Sequence, residues 1–426
     1  MFSFMNRDKA RPNARCAPFH TKIDEVREDA IDMKQGAAHA NNTDHLPWLD
    51  GLRGFAALWV LVSHAQILSG MRGIPVLSWG ELAVDLFMLL SGFLMAHHYV
   101  LRQEKEPWDA KSTFFTFWLR RFFRIAPLYY FLLFFALVLG PWIGDWRDAI
   151  ALQWPATATS PARYDDQSLG NILMHVSFLF GAFPDYAFRT PLPDWSIGLE
   201  MSFYLAFPFL MLLVLRMGLL TAGLLTITLA GISLVIFKGY FEQFAMPSFL
   251  PLKLYLFFIG IWLAVSRLQG GMKVALAMSV MVLIAVGLIE RSDQALGRMV
   301  VVIGMFYLMN DGSLPGSGLL QGSIEKLRAV LSSRVSRFLG DTSYGVYLLH
   351  LLILIPVAGM LTHSTAYLAL SGPLRLLVCA ALVAPPVYLT AWLLFRTVET
   401  GGIRMGKRVI LQTIDRTRHA CRPAET

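Results

Sequence analysis

Apolar residues in this chain come in long runs, without the strict alternation of half-buried strands or the one-sided spacing of surface helices. A helix needs about 20 such residues to cross a bilayer. Ten segments reach or approach that length: 51–69, 81–100, 125–143, 195–215, 218–237, 248–266, 272–289, 298–310, 343–362 and 374–396. The eighth is short. Segment 169–183 is also short, and amphipathic, and reads as interfacial or re-entrant. The pattern predicts an all-α polytopic membrane protein with about ten transmembrane helices, its membrane domain covering residues 46–400. Residues 1–45 are polar, with a short helix expected around Ile23–Met33, and residues 401–426 form a basic tail.

Composition supports the same class. Of 426 residues, 55% are hydrophobic and only 15% charged, and the mean hydropathy is +0.52. The polar N-terminus has no apolar core of a signal peptide and no lipidation motif. Asn41-Asn42-Thr43 matches a glycosylation sequon, which carries no weight in a segment expected to be cytosolic. Three scattered cysteines, Cys16, Cys379 and Cys421, give neither a disulfide framework nor a metal site.

The net charge of +8 is placed for membrane orientation and gives no reason to expect a nucleic-acid partner. Loop 101–124 carries Arg102, Lys105, Lys111, Arg120, Arg121 and Arg124; loop 311–342 carries Lys326, Arg328, Arg334 and Arg337. The C-terminal tail carries six further basic residues, whereas loop 144–194 holds six Asp against three Arg. Ten spans with both termini in the cytosol put every basic segment inside and the acidic loop outside. An eleventh span at 169–183 would move the basic tail outside. The expected location is the cell (inner) membrane, with multiple passes.

Five stretches bring ionisable groups into or beside these spans, where they are costly unless paired or facing water. In LDGLRGFAALWVLVSHAQIL, residues 49–68, Arg53 and His64 are eleven residues apart. That separation comes within about 20° of three full helical turns, so both lie on one face. On spacing alone, snorkelling of Arg53 and a hydrogen-bonded interfacial His64 are the favoured explanation of the pair. In LAVDLFMLLSGFLM, residues 82–95, Asp85 sits near the start of a span, and Ser91-Gly92 lets another helix or a thin ligand approach. In WLRRFFRIAPLYY, residues 118–130, Arg120, Arg121 and Arg124 cluster on a helix. They suit bidentate phosphate binding or anchoring to anionic lipid.

In LPDWSIGLEMSFYLAFP, residues 192–208, Ser196, Glu200 and Tyr204 recur at i,i+4 after Trp195. Glu200 lies beyond the first turn, where the helix dipole supports a carboxylate less. In FLGDTSYGVYLLHLLIL, residues 338–354, Ser343, Tyr347 and His350 share a face, and Asp341 or Thr342 is expected to cap the helix. Interhelical hydrogen bonding accounts for these residues without catalysis.

In order, these stretches resemble the acyltransferase-3 family of integral-membrane acyltransferases over roughly residues 46–400. The resemblance runs from LDGLRGFAALWVLVSHA through LFMLLSGFL, RRFFRIAP and DWSIGLEMSFY to LGDTSYGVYLLH, and closes with FRTVET at 395–400. Where the family often has a second polar or acidic residue after the glutamate, this chain has Met201, which leaves Glu200 as the acid there. No fused hydrolase-like domain is expected.

The resemblance implies transfer of an acyl group, commonly acetyl, from cytosolic acyl-CoA to a hydroxyl on a cell-surface or lipid-linked saccharide. Acyl-CoA is then a co-substrate, with no bound cofactor and no metal. The resemblance matches Arg53 and His64 to the family's essential pair, and Arg121 and Arg124 to arginines implicated in donor use; Arg120 is grouped with them. His64 is expected to act either as general base or as acyl carrier. Asp85 or Glu200, or both, would orient the imidazole or neutralise Arg53. Ser91, Trp195, Ser196, Tyr347 and His350 are expected to contact the acceptor or to pack. A transporter or flippase for a sugar-bearing or acylated solute would place ionisable groups in the membrane equally well.

Overall fold

The computed structural model describes residues 46–71, 74–290, 294–309 and 318–420. The expected Ile23–Met33 helix and the sequon lie outside the described residues. The chain divides into two units, Leu46–Ile403 and a second whose described residues begin at Arg404. No strand occurs among the described residues.

The first unit holds the membrane helices: α1 (Pro47–Leu68), α2 (Gly80–Leu101), α3 (Lys111–Gln153), α4 (Trp195–Met217), α5 (Leu219–Ile236), α6 (Leu250–Gln269), α7 (Met272–Glu290), α8 (Gln294–Met309), α9 (Arg334–Leu361) and α10 (Gly372–Leu394). Among the described residues, nine candidate spans are long and apolar enough to cross a membrane; α8 is shorter and apolar. Each expected segment falls on one of these helices.

Burial separates inner from outer helices. On α6 every residue from Lys253 to Ser266 is buried, so this helix is enclosed by its neighbours. On α5 the buried residues are Ala222 and Gly223, while Leu229 and Val235 are exposed, as suits a lipid-facing helix.

Glycines set the closest helix contacts. A Cβ on Gly92 of α2 would fall 2.1 Å from the Phe257 carbonyl oxygen, and one on Gly260 of α6 would fall 2.2 Å from that of Leu89. The opening at Ser91-Gly92 is thus filled by a helix. Between α1 and α9, a Cβ on Gly54 would lie 2.6 Å from the Gly340 nitrogen, and one on Gly340 would lie 2.4 Å from the Asp50 oxygen. No side chain fits at either crossing.

Three boundaries differ from expectation. Helix α3 has 43 residues and contains Pro127 and Pro141. At 1.5 Å per residue it is about 64 Å long, so it continues beyond its apolar stretch at both ends. Helix α9 starts at Arg334, where the Ser333 hydroxyl accepts from the Ser336 backbone N–H. Asp341 and Thr342 therefore lie inside the helix, and the Thr342 hydroxyl donates to the Phe338 carbonyl at 2.9 Å. Helix α10 passes through a π-helical turn, Phe395–Glu399, into a helix over Thr400–Ala420. Segment 169–183 is broken into a helix over Leu169–Val176 and a 3₁₀ turn over Leu179–Ala182, with Phe178 left-handed at φ 59° between them. Neither piece is long enough to cross a membrane.

Candidate functional site

The α1–α9 crossing brings two histidines together. His350 Nε2 lies 3.2 Å from His64 Nδ1, with ring centroids 5.0 Å apart. His64 Nδ1 also lies 3.0 Å from the Val60 carbonyl oxygen. His350 Nδ1 faces the carbonyl oxygens of Tyr347 at 2.7 Å and Val346 at 3.1 Å. His350 is fully buried, whereas His64 is half-buried. The α1 and α9 stretches picked out by sequence thus form one constellation.

Tyr347, one turn before His350, ties this pair to the start of α4. Its hydroxyl accepts from Ser196 at 2.7 Å and donates to the Pro193 carbonyl at 3.0 Å. Trp195 and Ser196 are both buried. Asp194, just before α4, accepts from Thr190 at 2.8 Å and Tyr129 at 3.2 Å, and lies 3.6 Å from His175 Nε2. Burial raises the Asp194 carboxyl above its ordinary value, opposed by His175, Thr190 and Arg163. The 163–194 segment is thus anchored at its α4 end by buried polar contacts.

Glu200 is held by hydroxyls. Its Oε1 accepts from Ser91 of α2 at 2.8 Å and from Tyr204 one turn along α4. The Arg121 guanidinium lies over the Phe117 and Tyr204 rings, 5.8 and 6.0 Å from their centroids. Its Nε is buried without a hydrogen-bond partner. Arg53 lies within electrostatic reach of Tyr204 and Glu399. Neither Arg53 nor Arg121 forms a salt bridge to a carboxylate among the described residues.

The other two arginines are committed. Arg120 makes a bidentate pair with Glu106, at 2.8 and 2.5 Å. Arg124 pairs with Glu399 in the π-helical turn, whose side chain is fully buried. The expected trio is therefore one guanidinium without a carboxylate and two whose carboxylate partners fix the chain. Glu399 lies within the FRTVET stretch at 395–400, beside a span end, where a carboxylate calls for a partner.

Asp85 does not meet His64 or Arg53. Its carboxylate accepts from Lys253 Nζ of α6 at 2.8 Å and from Arg298 Nε of α8 at 2.7 Å. All three side chains are at most 7% exposed. The expected role of Asp85 at the imidazole gives way to an ion cluster joining α2, α6 and α8. Lys253 and Arg298 are lone cations within apolar stretches, a sequence signal of intramembrane pairing that the reading of Asp85 left unused.

A cavity of about 430 Å³ is lined by Arg334, Arg337, Phe338, Asp341, Trp392, Phe395 and Arg396, none of them a candidate site residue. No group of three or more metal-ligating side chains occurs among the described residues.

The structure is that of a multi-pass helical membrane protein carrying, among its described residues, a histidine pair and two arginines, Arg53 and Arg121, that form no salt bridge to a described carboxylate. A family model described as an acyltransferase domain matches residues 46–392, and the chain belongs to this acyltransferase-3 family. It is similar to the acyltransferase MdmB of Streptomyces mycarofaciens, 28% identical over 335 residues, which cover 72% of this chain and 79% of that protein. It is also similar to the O-acetyltransferase OatA of Staphylococcus aureus, 31% identical over 180 residues, covering 40% of this chain and 26% of OatA. The peptidoglycan O-acetyltransferase OatA of Listeria monocytogenes is 27% identical over 173 residues, covering 40% of this chain and 25% of that protein. These matches span about a quarter of the OatA proteins. No solved structure matches.

Proposed function

We propose that this protein transfers an acyl group, acetyl in the first instance, from cytosolic acyl-CoA to a hydroxyl of an extracytoplasmic or lipid-linked saccharide. Similarity to the OatA O-acetyltransferases supports O-acetyl transfer, and the peptidoglycan O-acetyltransferase of Listeria monocytogenes supports a saccharide acceptor. The proposed location is the inner membrane, with both termini cytosolic.

The observation that carries the reading is the state of His64: half-buried, and engaged by its neighbours through Nδ1. Its Nε2 is then the atom left for substrate. In the transfer step, Nε2 takes the proton of the acceptor hydroxyl as the hydroxyl oxygen attacks the thioester carbonyl. The carbon–oxygen bond forms, the carbon–sulfur bond breaks, and the proton passes from Nε2 to the departing thiolate. In the nucleophilic variant, Nε2 carries the acyl group between the two steps.

Arg53 and Arg121, which form no salt bridge to a carboxylate among the described residues, meet the charge of the donor. A guanidinium within membrane spans is retained where it faces water or an anion, and CoA supplies phosphates suited to it. Glu200, held by Ser91 and Tyr204, supplies the negative charge beside them.

Purified protein in lipid nanodiscs, given acetyl-CoA labelled in the acetyl group and peptidoglycan fragments or other glycans, tests the proposal. Label is expected on the glycan with the parent protein. His64→Ala is expected to lower kcat by about 10²–10⁴-fold, the contribution of a general base. Movement of an unmodified solute with no covalent transfer would instead identify a transporter.

A further inference from the structure

We infer that His350 is a positioning residue that holds His64 in the Nδ1–H tautomer and so makes Nε2 the reactive nitrogen. The inference rests on the reading of His64 as the base. It follows from counting donors and acceptors around the two rings. A carbonyl oxygen accepts and never donates. His350 Nδ1 faces two carbonyl oxygens, those of Tyr347 at 2.7 Å and Val346 at 3.1 Å, so its proton sits on Nδ1. In a neutral ring the His350 Nε2 is then an acceptor.

That acceptor points at His64 Nδ1, 3.2 Å away. His64 Nδ1 also faces the Val60 carbonyl oxygen at 3.0 Å. Both neighbours of His64 Nδ1 are therefore acceptors, and both are satisfied by a proton on that atom. The opposite assignment, with the His350 proton on Nε2, sets lone pair against lone pair at all three carbonyl contacts. One arrangement of two protons satisfies every contact of the pair, and it leaves the lone pair of His64 on Nε2.

The Val60 carbonyl serves less well alone. It lies one turn back on the same helix, where it is the i−4 acceptor for the backbone N–H of His64. His350 brings an acceptor from a different helix, on a ring fixed by the backbone of α9. When Nε2 takes the hydroxyl proton, Nδ1–H keeps donating to His350 Nε2, so the imidazolium forms without ring rotation. This is the orienting role that the third member of a nucleophile–base–orienter set performs, here filled by a neutral imidazole.

The test is nitrogen NMR of histidine-labelled protein in nanodiscs, with His64 assigned from the His64→Gln spectrum. The imidazole nitrogen shifts report which ring nitrogen carries the proton. His64 is expected as the Nδ1–H tautomer in the parent. His350→Leu, apolar and without an acceptor, is expected to shift it to the Nε2–H form or a mixture, and to lower kcat by about 10²-fold or more with KM for acyl-CoA unchanged. His350→Gln, whose amide oxygen can accept from Nδ1–H, is expected to restore both the tautomer and most of kcat. An Nε2–H tautomer in the parent overturns the inference, as does an unchanged tautomer in folded His350→Leu. Full activity in His64→Ala overturns the assignment of the base itself, independently of any tautomer observed.

Discussion

His350 Nε2 lies 3.2 Å from His64 Nδ1, although 286 residues separate the two in the chain. The contact depends on two helices touching at glycine, since Gly54 and Gly340 leave no room for a Cβ between α1 and α9. The roles proposed for the ionisable residues of the membrane domain, chemistry for some and helix pairing for others, can be tested separately.

Arg121 and Arg124 should separate cleanly. Arg121→Ala removes a guanidinium that pairs with no carboxylate among the described residues, so it should raise KM for acyl-CoA and leave thermal stability near that of the parent. A charged contact is worth about 1.5–3 kcal/mol, or roughly tenfold or more in KM. Arg124→Ala strands the buried Glu399 carboxylate, so it should lower the melting temperature, and Glu399→Gln in that background should restore much of it. Equal KM effects from the two would undo the distinction.

Asp85 should behave as a structural residue. Asp85→Asn removes the buried carboxylate that Lys253 and Arg298 share. Removing one member of a buried ion pair costs about 3–5 kcal/mol. The expected result is a large drop in thermal stability in detergent, eased by adding Lys253→Met. The KM for acyl-CoA of the folded fraction should be unaffected. A variant of normal stability that has lost kcat would return Asp85 to the chemistry.

Membrane orientation is open to a direct measurement. Reporter fusions after residue 165 should read as exterior, and fusions after residues 110 and 420 as cytosolic, following the basic loops. A cytosolic signal at 165 would exchange the donor and acceptor sides and remove the proposed path.

Much of the fold is legible in the sequence because crossing a bilayer is a one-dimensional demand. A run of about 20 apolar residues states it locally, and all ten expected segments fall on helices. The misplaced boundaries have a common cause. Hydropathy reports where lipid is, whereas backbone hydrogen bonding continues past the lipid, so α3 extends over its arginine-rich turn and α9 begins at Arg334. Residue types in the candidate site were legible too, because a charge or imidazole inside an apolar run stands out. Their partners were not. Asp85 finds Lys253 168 residues away, and Ser91 finds Glu200 109 residues away. Such pairs depend on the rotation of each helix about its axis, which packing decides and hydropathy does not record.

Gly54 to His64 is ten residues, and Gly340 to His350 is also ten. The two helices therefore leave their glycine contact in the same direction and climb by equal steps, about 15 Å, to the point where the rings meet. Each helix serves as a measuring rod, and the two rods are cut to one length. An inserted or deleted residue in either interval would swing one ring by about 100°, however conservative the residue chosen. The intervening positions should accept exchanges of side chain far more readily than changes in their number. The motif thus behaves at these positions like a reading frame, tolerant of substitution and intolerant of shift.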